Sequence, residues 1–340
     1  MKKLINLLFI FVCLSACIEN KTEKKQSSRD NVVNVYNKVH LVKIDTVLLS
    51  LYSKMSITDR YLLIKDSHSC DKVIHIFDKN DFKYIKSIGQ QGPGPEEITY
   101  AGNVTFDKKR NKIYVNDDDK MKIYSFDLDS AIIYPNYVPI VTMKLKKVAH
   151  SWKYIIINDT LSIGMVITSS GNSQFNEELA RINFSKDKIV YFKYTQPDII
   201  KKRICFAISE KDGLCAECYY YNDLMTITDL YGNLKYNIYG PSWKNENNRH
   251  NFYQFYHGVV FYKDKIIAGY AEGKTRRDNK VNFMPAKLLV FSKNGDYIKT
   301  LDVGYHMFDF VYDKENDRLI LDLEDENEKL AYLDMKDLKL

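Results

Sequence analysis

One short landmark recurs six times along this chain: a strand-like run ends, a turn-forming Asp or Ser follows, and a second strand begins. It stands at Phe77-Asp78, Phe126-Asp127, Phe184-Ser185, Thr228-Asp229, Phe291-Ser292 and Leu333-Asp334. Successive landmarks lie 49, 58, 44, 63 and 42 residues apart. A period of about fifty residues matches one propeller blade of four antiparallel strands and is too long and uneven for a short solenoid repeat. The 26 Tyr and 17 Phe among 340 residues, with only 14 Gly and 7 Pro, suit strands better than helices or disorder.

Apolar alternation and turn residues place four strands, a to d from the axis outward, in most blades. Blade one is expected at Lys54–Ile57, Tyr61–Lys65, Val73–Phe77 and Phe82–Ile88, and blade two at Asn103–Phe106, Lys112–Val115, Lys122–Phe126 and within Ile132–Leu145. Blade three takes Trp152–Ile157, Leu161–Thr168, Leu179–Phe184 and Ile189–Tyr194; blade four takes Arg203–Ile208, Leu214–Tyr219, Leu224–Thr228 and Leu234–Tyr239. Blade five takes Gly258–Tyr262, Lys265–Tyr270, Lys287–Phe291 and Tyr297–Leu301. Blade six has Phe308–Tyr312, Arg318–Leu321 and Lys329–Leu333, with too few residues left for a fourth strand. The strand-like run His40–Leu49 has no blade of its own, so it is expected to supply that fourth strand and close the ring, since an open sheet edge is an aggregation liability. The fold class is therefore all-β: a six-bladed β-propeller over residues 38–340.

The first residues read as a targeting segment. Lys2-Lys3 precede an apolar run, Leu4 to Leu14, that is too short to span a bilayer. It ends in Leu14-Ser15-Ala16-Cys17, which resembles a bacterial lipobox. The resemblance implies removal of residues 1–16 and lipidation of Cys17, holding the protein on a membrane through acyl chains. Ile18 follows where an inner-membrane retention signal would place Asp, which leans the expectation toward the outer membrane of the cell envelope. Residues 17–37 are polar and are expected to form a flexible tether. The formal charge of +6 falls to +4 without Lys2 and Lys3, too mild an excess to argue for nucleic acid.

The run Lys86-Ser87-Ile88-Gly89-Gln90-Gln91-Gly92-Pro93-Gly94-Pro95-Glu96-Glu97-Ile98 resembles a segment of the TolB-like or NHL-like six-bladed propeller lipoproteins of Bacteroidetes. There the segment follows an outer strand and leads to the next blade's inner strand. The ending Pro-Glu-Glu-Ile departs from the simpler Gly-Glu-Phe form. The family is known mainly by its fold, so the resemblance implies a propeller and an envelope address but no activity.

In a blade the d-to-a and b-to-c connections open on one face, and here they are the longer ones: 66–72, 89–102, 116–120, 169–178, 240–256, 271–286 and 303–307. Binding residues sit on loops held by a rigid scaffold, so this face and its axial funnel are the expected site. Candidate residues on it are Gln91, Glu96 and Glu97 of the Gly/Pro loop, Asp118 of Asn116-Asp117-Asp118-Asp119, Trp243, His250 and Tyr253, and Arg276 with Arg277 beside Lys274. Glu96 or Glu97 is expected to bond backbone amides within a blade crossover. The acidic run lacks the Gly and distant Glu of a calcium loop. The aromatics either stack on a sugar or peptide or cap the ends of the blades. The arginines either recognise carboxylate or phosphate or are simply solvated.

Four cysteines remain after the leader and the lipid site: Cys70, Cys205, Cys215 and Cys218. In an oxidising compartment a cross-strand bond between Cys205 and Cys218 is the natural pairing, because residues three apart on a strand, such as Cys215 and Cys218, point to opposite faces. The seven histidines follow no metal spacing, there is no G-x-S-x-G elbow, and spacing nominates no catalytic residue, cofactor or metal. The expected function is a non-catalytic envelope lipoprotein whose long-loop face binds a protein, peptide or glycan. The alternative is a lactonase- or lyase-like propeller enzyme, which needs polar side chains with perturbed pKa values converging on an axial pocket.

Overall fold

The computed structural model describes residues 22–50, 53–144, 151–171, 174–199, 201–243, 253–275, 284–324, 329–338 and 340. Its strands form six sheets, each built on consecutive antiparallel strands. Blade 1 comprises Lys54–Ile57, Tyr61–Lys65, Lys72–Asp78 and Tyr84–Gln90, and blade 2 comprises Ala101–Asp107, Lys112–Asp117, Lys122–Asp127 and Ile140–Lys144. Blade 3 is Ser151–Asn158, Leu161–Gly171, Gln174–Asn183 and Lys188–Tyr191; blade 4 is Ile204–Ser209, Leu214–Tyr219, Leu224–Asp229 and Leu234–Tyr239. Blade 5 is Tyr253–Tyr262, Lys265–Thr275, Lys287–Ser292 and Tyr297–Asp302. Blade 6 has Met307–Asp313, Arg318–Leu323 and Leu330–Asp334, and its fourth strand is Val39–Val42, antiparallel to the third. The six-bladed ring closed by an N-terminal strand is thus the observed architecture.

The middle strands of the blades are largely buried on both faces because each sheet is packed between two others. Leu62, Leu63 and Ile64 of blade 1 are all buried, as is the whole of Arg318–Leu323 in blade 6. One apolar cluster joins blades 1 and 2 through Ile74, Ile76, Val115 and Phe126, and others join blades 3–4, 4–5, 5–6 and 6–1. The seam between blades 2 and 3 carries a buried polar contact instead: the Tyr154 hydroxyl donates to Asn116 Oδ1 at 3.2 Å.

Two local expectations are corrected, in blades 3 and 5, and blade 2 adds a helix before an outer strand that falls within the expected stretch. In blade 2 the stretch before the outer strand holds a short helix, Leu128–Ile133, whose first turn is capped by the Asp127 carboxylate accepting from Ser130 N at 3.0 Å. Its last carbonyls, on Ala131, Ile132 and Tyr134, receive Lys86 Nζ at 2.7–3.1 Å. In blade 3 the expected loop 169–178 is largely strand, since Leu161–Gly171 and Gln174–Asn183 pair to their ends. In blade 5 the innermost strand starts five residues earlier than expected, at Tyr253, and its partner runs on to Thr275.

The largest difference lies in the segment expected to be a free tether. Glu23–Lys25 adds a fifth strand, parallel to Leu234–Tyr239, to blade 4, and Val32–Asn34 adds one, parallel to Tyr297–Asp302, to blade 5. Between them Arg29 plunges into the seam of blades 4 and 5. Its Nη1 lies 2.9 Å from Asp223 Oδ1, its Nη2 donates to the Tyr256 hydroxyl at 3.0 Å, and its plane stacks 4.8 Å from the Tyr270 ring centroid. The Tyr256 and Tyr270 hydroxyls also donate to Asp223, at 3.3 and 3.2 Å, so the carboxylate is fully engaged. Burial opposes the charge on Arg29, but Tyr256, Asp223 and Tyr270 outweigh it and raise the guanidinium pKa.

A buried pair of this kind costs most when one partner is removed, because the other charge stays buried and unpaired. Arg29→Ala should therefore lower stability by about 3–5 kcal/mol, read as a shift in the denaturant midpoint. An unchanged midpoint would show that the N-terminal segment is not held to the propeller by this contact.

Candidate functional site

The innermost strands of blades 1–2, 2–3, 4–5, 5–6 and 6–1 lie against one another around the axis. Their early residues meet at the long-loop end, and the electrostatics record the convergence. Lys65 feels Lys54 of its own blade, Asp118 of blade 2 and Asp309 of blade 6, while His257 of blade 5 feels Lys54, Asp309 and Lys153 of blade 3. Side chains from five blades come within electrostatic reach of each other only at the centre of a ring. The axial mouth is thus lined by Lys54, Lys65 and Lys153 of one sign and by Asp118 and Asp309 of the other.

The local structure fixes each group. Lys54 Nζ donates to the Phe308 carbonyl at 3.2 Å and Lys65 Nζ to the Ala101 carbonyl at 3.1 Å, each lysine reaching across a blade boundary. Asp309 accepts from the backbone N–H of Phe310 at 3.0 Å and of Met55 at 3.4 Å. Below the mouth, buried Asp322 accepts from Ser53 Oγ at 3.0 Å and pairs with Lys329 Nζ at 2.6 Å. Burial, helped by Lys54, brings the Lys65 pKa down to about 8. Burial, with Lys54 and Lys153, brings His257 down to about 3, so its imidazole is neutral at neutral pH. Burial also lifts Asp322 to about 7, against the pull of Lys329.

The sequence-derived candidates divide around this mouth. Asp118, half-buried, belongs to it, and its carboxylate fills the space where a side chain on Gly102 would lie. Glu96 is exposed, whereas Glu97 turns back and accepts from Gly94 N at 2.8 Å. A Cβ on Gly92 would sit 2.1 Å from that carboxylate, which accounts for glycine there. Gln91 pairs with Ile98, and Lys120 Nζ is caged by the carbonyls of Gly92, Gly94 and Glu97 at 3.3, 2.6 and 2.7 Å. The Gly/Pro loop is accordingly a tied crossover between blades 1 and 2. Trp243 packs 4.9 Å from Tyr239, and Tyr253 packs on the apolar cluster of blades 4 and 5, so both cap blade ends. Cys17, His250, Arg276 and Arg277 lie outside the described residues. Cys205 and Cys218 are direct cross-strand partners, and the structure leaves them unbonded. The mouth residues Lys54, Lys65, Lys153, His257 and Asp309, and Asp322 below them, were not nominated from sequence; for Lys54, Lys153, His257 and Asp309 the one available signal was a polar residue in the first half of an innermost strand.

Among the described residues no group of three or more His, Cys, Asp or Glu side chains is arranged to hold a metal. A groove of about 530 Å3 opens elsewhere, on the outer short-turn side between blade 1 and the helix Leu128–Ile133. Two of its cations are engaged locally: Lys83 pairs with Asp81 at 2.6 Å, and Arg60 lies over the Tyr61 ring. The converging chemistry is at the mouth.

Residues 16–162 match the family model DUF5128, described as a 6-bladed beta-propeller. Among solved structures, a Bacteroides fragilis protein described as exported superposes with a TM-score of 0.58 at 12% identity, covering 92% of this chain and 98% of that one. A Bacteroides vulgatus member of the DUF4221 family gives 0.57 at 14% identity, covering 88% and 98%. The extracellular domain of a one component system from B. thetaiotaomicron gives 0.51 at 11% identity, covering 82% of this chain and 33% of that one. At such identities the likeness is one of fold. Comparison with curated protein sequences finds no match.

Two substitutions probe this region. Lys120→Met removes a cation from three carbonyls and should cost about 2 kcal/mol while speeding amide exchange at Gly94 and Ile98. Unchanged exchange at those amides would contradict the cage. With its folded pKa raised, Asp322 contributes stability that is fully present below its unfolded pKa and is lost as pH rises through about 7. Asp322→Asn should flatten the decline in denaturation midpoint over that window; an identical slope would mean that Lys329 keeps the carboxyl ionised throughout.

Proposed function

We propose that this chain is an envelope lipoprotein, held on the membrane by acylated Cys17, whose propeller binds a protein, peptide or glycan through its axial mouth and long loops. The carrying observation is the mouth itself: charged side chains from four blades converge there with both signs interleaved, beside the neutral His257 of a fifth, and Lys54, Lys65 and Asp309 are each tied to backbone groups of a neighbouring strand or blade. A surface built this way recognises a partner by charge complementarity and position. An envelope address is supported by the leader and lipobox-like Leu14-Ser15-Ala16-Cys17, and by the description of similar folds as exported or extracellular. Membership among TolB-like or NHL-like lipoproteins and placement at the outer membrane belong to the same reading, on the strength of the Gly/Pro crossover and Ile18.

The lactonase- or lyase-like alternative draws on two values: Lys65 at about 8 and Asp322 at about 7 fall in the range that general acid–base chemistry uses. Geometry weighs against the pair. Asp322 is 2% exposed, with its oxygens on Ser53 and Lys329, so the carboxyl is engaged inside the blade instead of being presented at the mouth.

Capture from envelope extract by the lipid-free domain tests the proposal. The wild-type domain should recover a discrete partner that the variant Lys54→Glu, Lys65→Glu, Asp309→Lys does not, with both domains equally folded by circular dichroism. For a partner that engages the lysines, recovery should weaken as pH rises through about 8, where Lys65 loses its proton, and Lys65→Arg should remove that dependence. Equal capture by the charge-reversed domain would move the binding site away from the mouth.

A further inference from the structure

The direction of the N-terminal strap decides which way the propeller faces. Glu23–Lys25 runs parallel to Leu234–Tyr239, with Glu23 opposite Asn237 and Lys25 opposite Tyr239. The outer strand of blade 4 rises from its short turn, Asp229–Asn233, toward the long-loop end. Traced back toward the lipid site, the strap therefore leaves the sheet at Thr22 heading for that short turn and away from the mouth. Thr22 is itself pinned, its carbonyl accepting from Asn237 N at 2.7 Å. Only four residues lie between it and Cys17, a reach of at most about 18 Å whatever path they take. A free tether of residues 17–37 would have left direction and distance open; the docked strap starts the chain toward the short turn and keeps Cys17 close to blade 4.

The rim at that point has the composition of a lipid-contacting edge. Tyr231, at the tip of the turn, is 56% exposed, with the Arg181 guanidinium 4.2 Å from its ring centroid. Gly232 holds φ +79° and presses on Phe192, where a Cβ would lie 2.4 Å away, and its carbonyl accepts from Tyr194 N at 2.9 Å. The turn is thus fixed against blade 3, whose outer strand exposes Val190 and Tyr191. Lys193 and Lys235 are exposed beside them. Tyrosine rings favour the headgroup layer, and lysines favour an anionic lipid surface.

We propose that the short-turn rim of blades 3 and 4, around Tyr231, is a membrane-contacting surface, and that acylated Cys17 holds it there so that the axial mouth faces away from the bilayer. This rests on the acylation of Cys17 in the proposed function. The partner is the lipid headgroup layer, identified by the length of chain left to the anchor and by the tyrosine and lysine side chains it meets.

The test uses the full acylated chain in vesicles of phosphatidylethanolamine and phosphatidylglycerol carrying a headgroup spin label. A thiol-reactive fluorophore is placed by Tyr231→Cys or by Asp119→Cys on the long-loop face, both in a Cys70→Ser background, because Cys205, Cys215 and Cys218 are buried. Fluorescence should be lost at position 231 and retained at position 119. A flexible Gly/Ser insertion of about twelve residues after Glu19 should bring the two positions toward equal quenching. Equal quenching in the chain of native length, with the Cys17 peptide carrying its lipid mass, would overturn the orientation alone. A chain that stays off the vesicles, with an unmodified Cys17 peptide, would overturn the anchor and the orientation with it.

Discussion

Closure of the ring depends on four residues, Val39–Val42, which pair with Leu330–Asp334 and complete blade 6. Without them the third strand of that blade would be an open edge, and blades 6 and 1 would meet through an unfinished sheet. The same seam is locked on the short-turn face by buried cations. Lys79, 1% exposed, reaches Asp313 at 3.2 Å, Glu315 at 2.6 Å and the Thr58 carbonyl at 3.2 Å. Arg318 pairs with Asp313 at 3.2 Å, donates to the Lys79 carbonyl, and lies against the Phe82 and Tyr332 rings, which stack on each other. His40 of the closing strand also stacks on Tyr332, with ring centroids 4.8 Å apart. Hydrogen-bonded edge, ion cluster and aromatic stack thus meet at one junction.

The mouth inherits this dependence. Lys54 and Met55 of blade 1 bond Phe308 and Asp309 of blade 6, and Ser53 bonds Asp322, all across the closing seam. Half of the axial charge pattern therefore exists only when the ring is shut. The other half crosses from blade 1 to blade 2, where Lys65 and Ser67 both donate to the Ala101 carbonyl. A displacement of blade 1 would move Lys54, Lys65 and Ser53 together. Stability of the ring and geometry of the candidate site are consequently one problem.

The blades were legible in the sequence because their signals are local: runs such as Tyr61-Leu62-Leu63-Ile64 and turns such as Asn294-Gly295 read the same in any context. The closing strand was legible by subtraction, since blade 6 lacked a partner and one N-terminal run lacked a blade. The strap was not legible. Glu23-Lys24-Lys25 and Val32-Val33-Asn34 are three residues each and show no alternation that a strand reading could use. What holds them is backbone pairing to an existing edge, together with Arg29, and that carboxylate and those two tyrosines come from three distant strands or loops. The mouth was hidden for a related reason. Lys54, Lys153, His257 and Asp309 are separated by scores of residues and share only their place near the axis, which a ring creates and no spacing rule encodes.

A strap of this length is held only where it makes discrete anchoring contacts, because ordering each residue costs about 1–2 kcal/mol of backbone entropy. The anchors follow the chain. Arg29 fills the seam of blades 4 and 5; Val35, 1% exposed, enters the apolar cluster of blades 5 and 6; and Tyr36 stacks on Tyr305 with centroids 5.0 Å apart. Lys38 then donates to the Asp337 carbonyl at 2.7 Å, just before the closing strand begins. The first three contacts sit at the boundaries of blades 4 and 5 or 5 and 6, so the strap staples the ring along about half its circumference as it approaches the seam. The strap and the closing strand are continuous, and a pull on residue 22 is therefore borne first by the pairing of Glu23–Lys25 with blade 4 and then by the Arg29 pair, before it can reach the four residues on which closure depends.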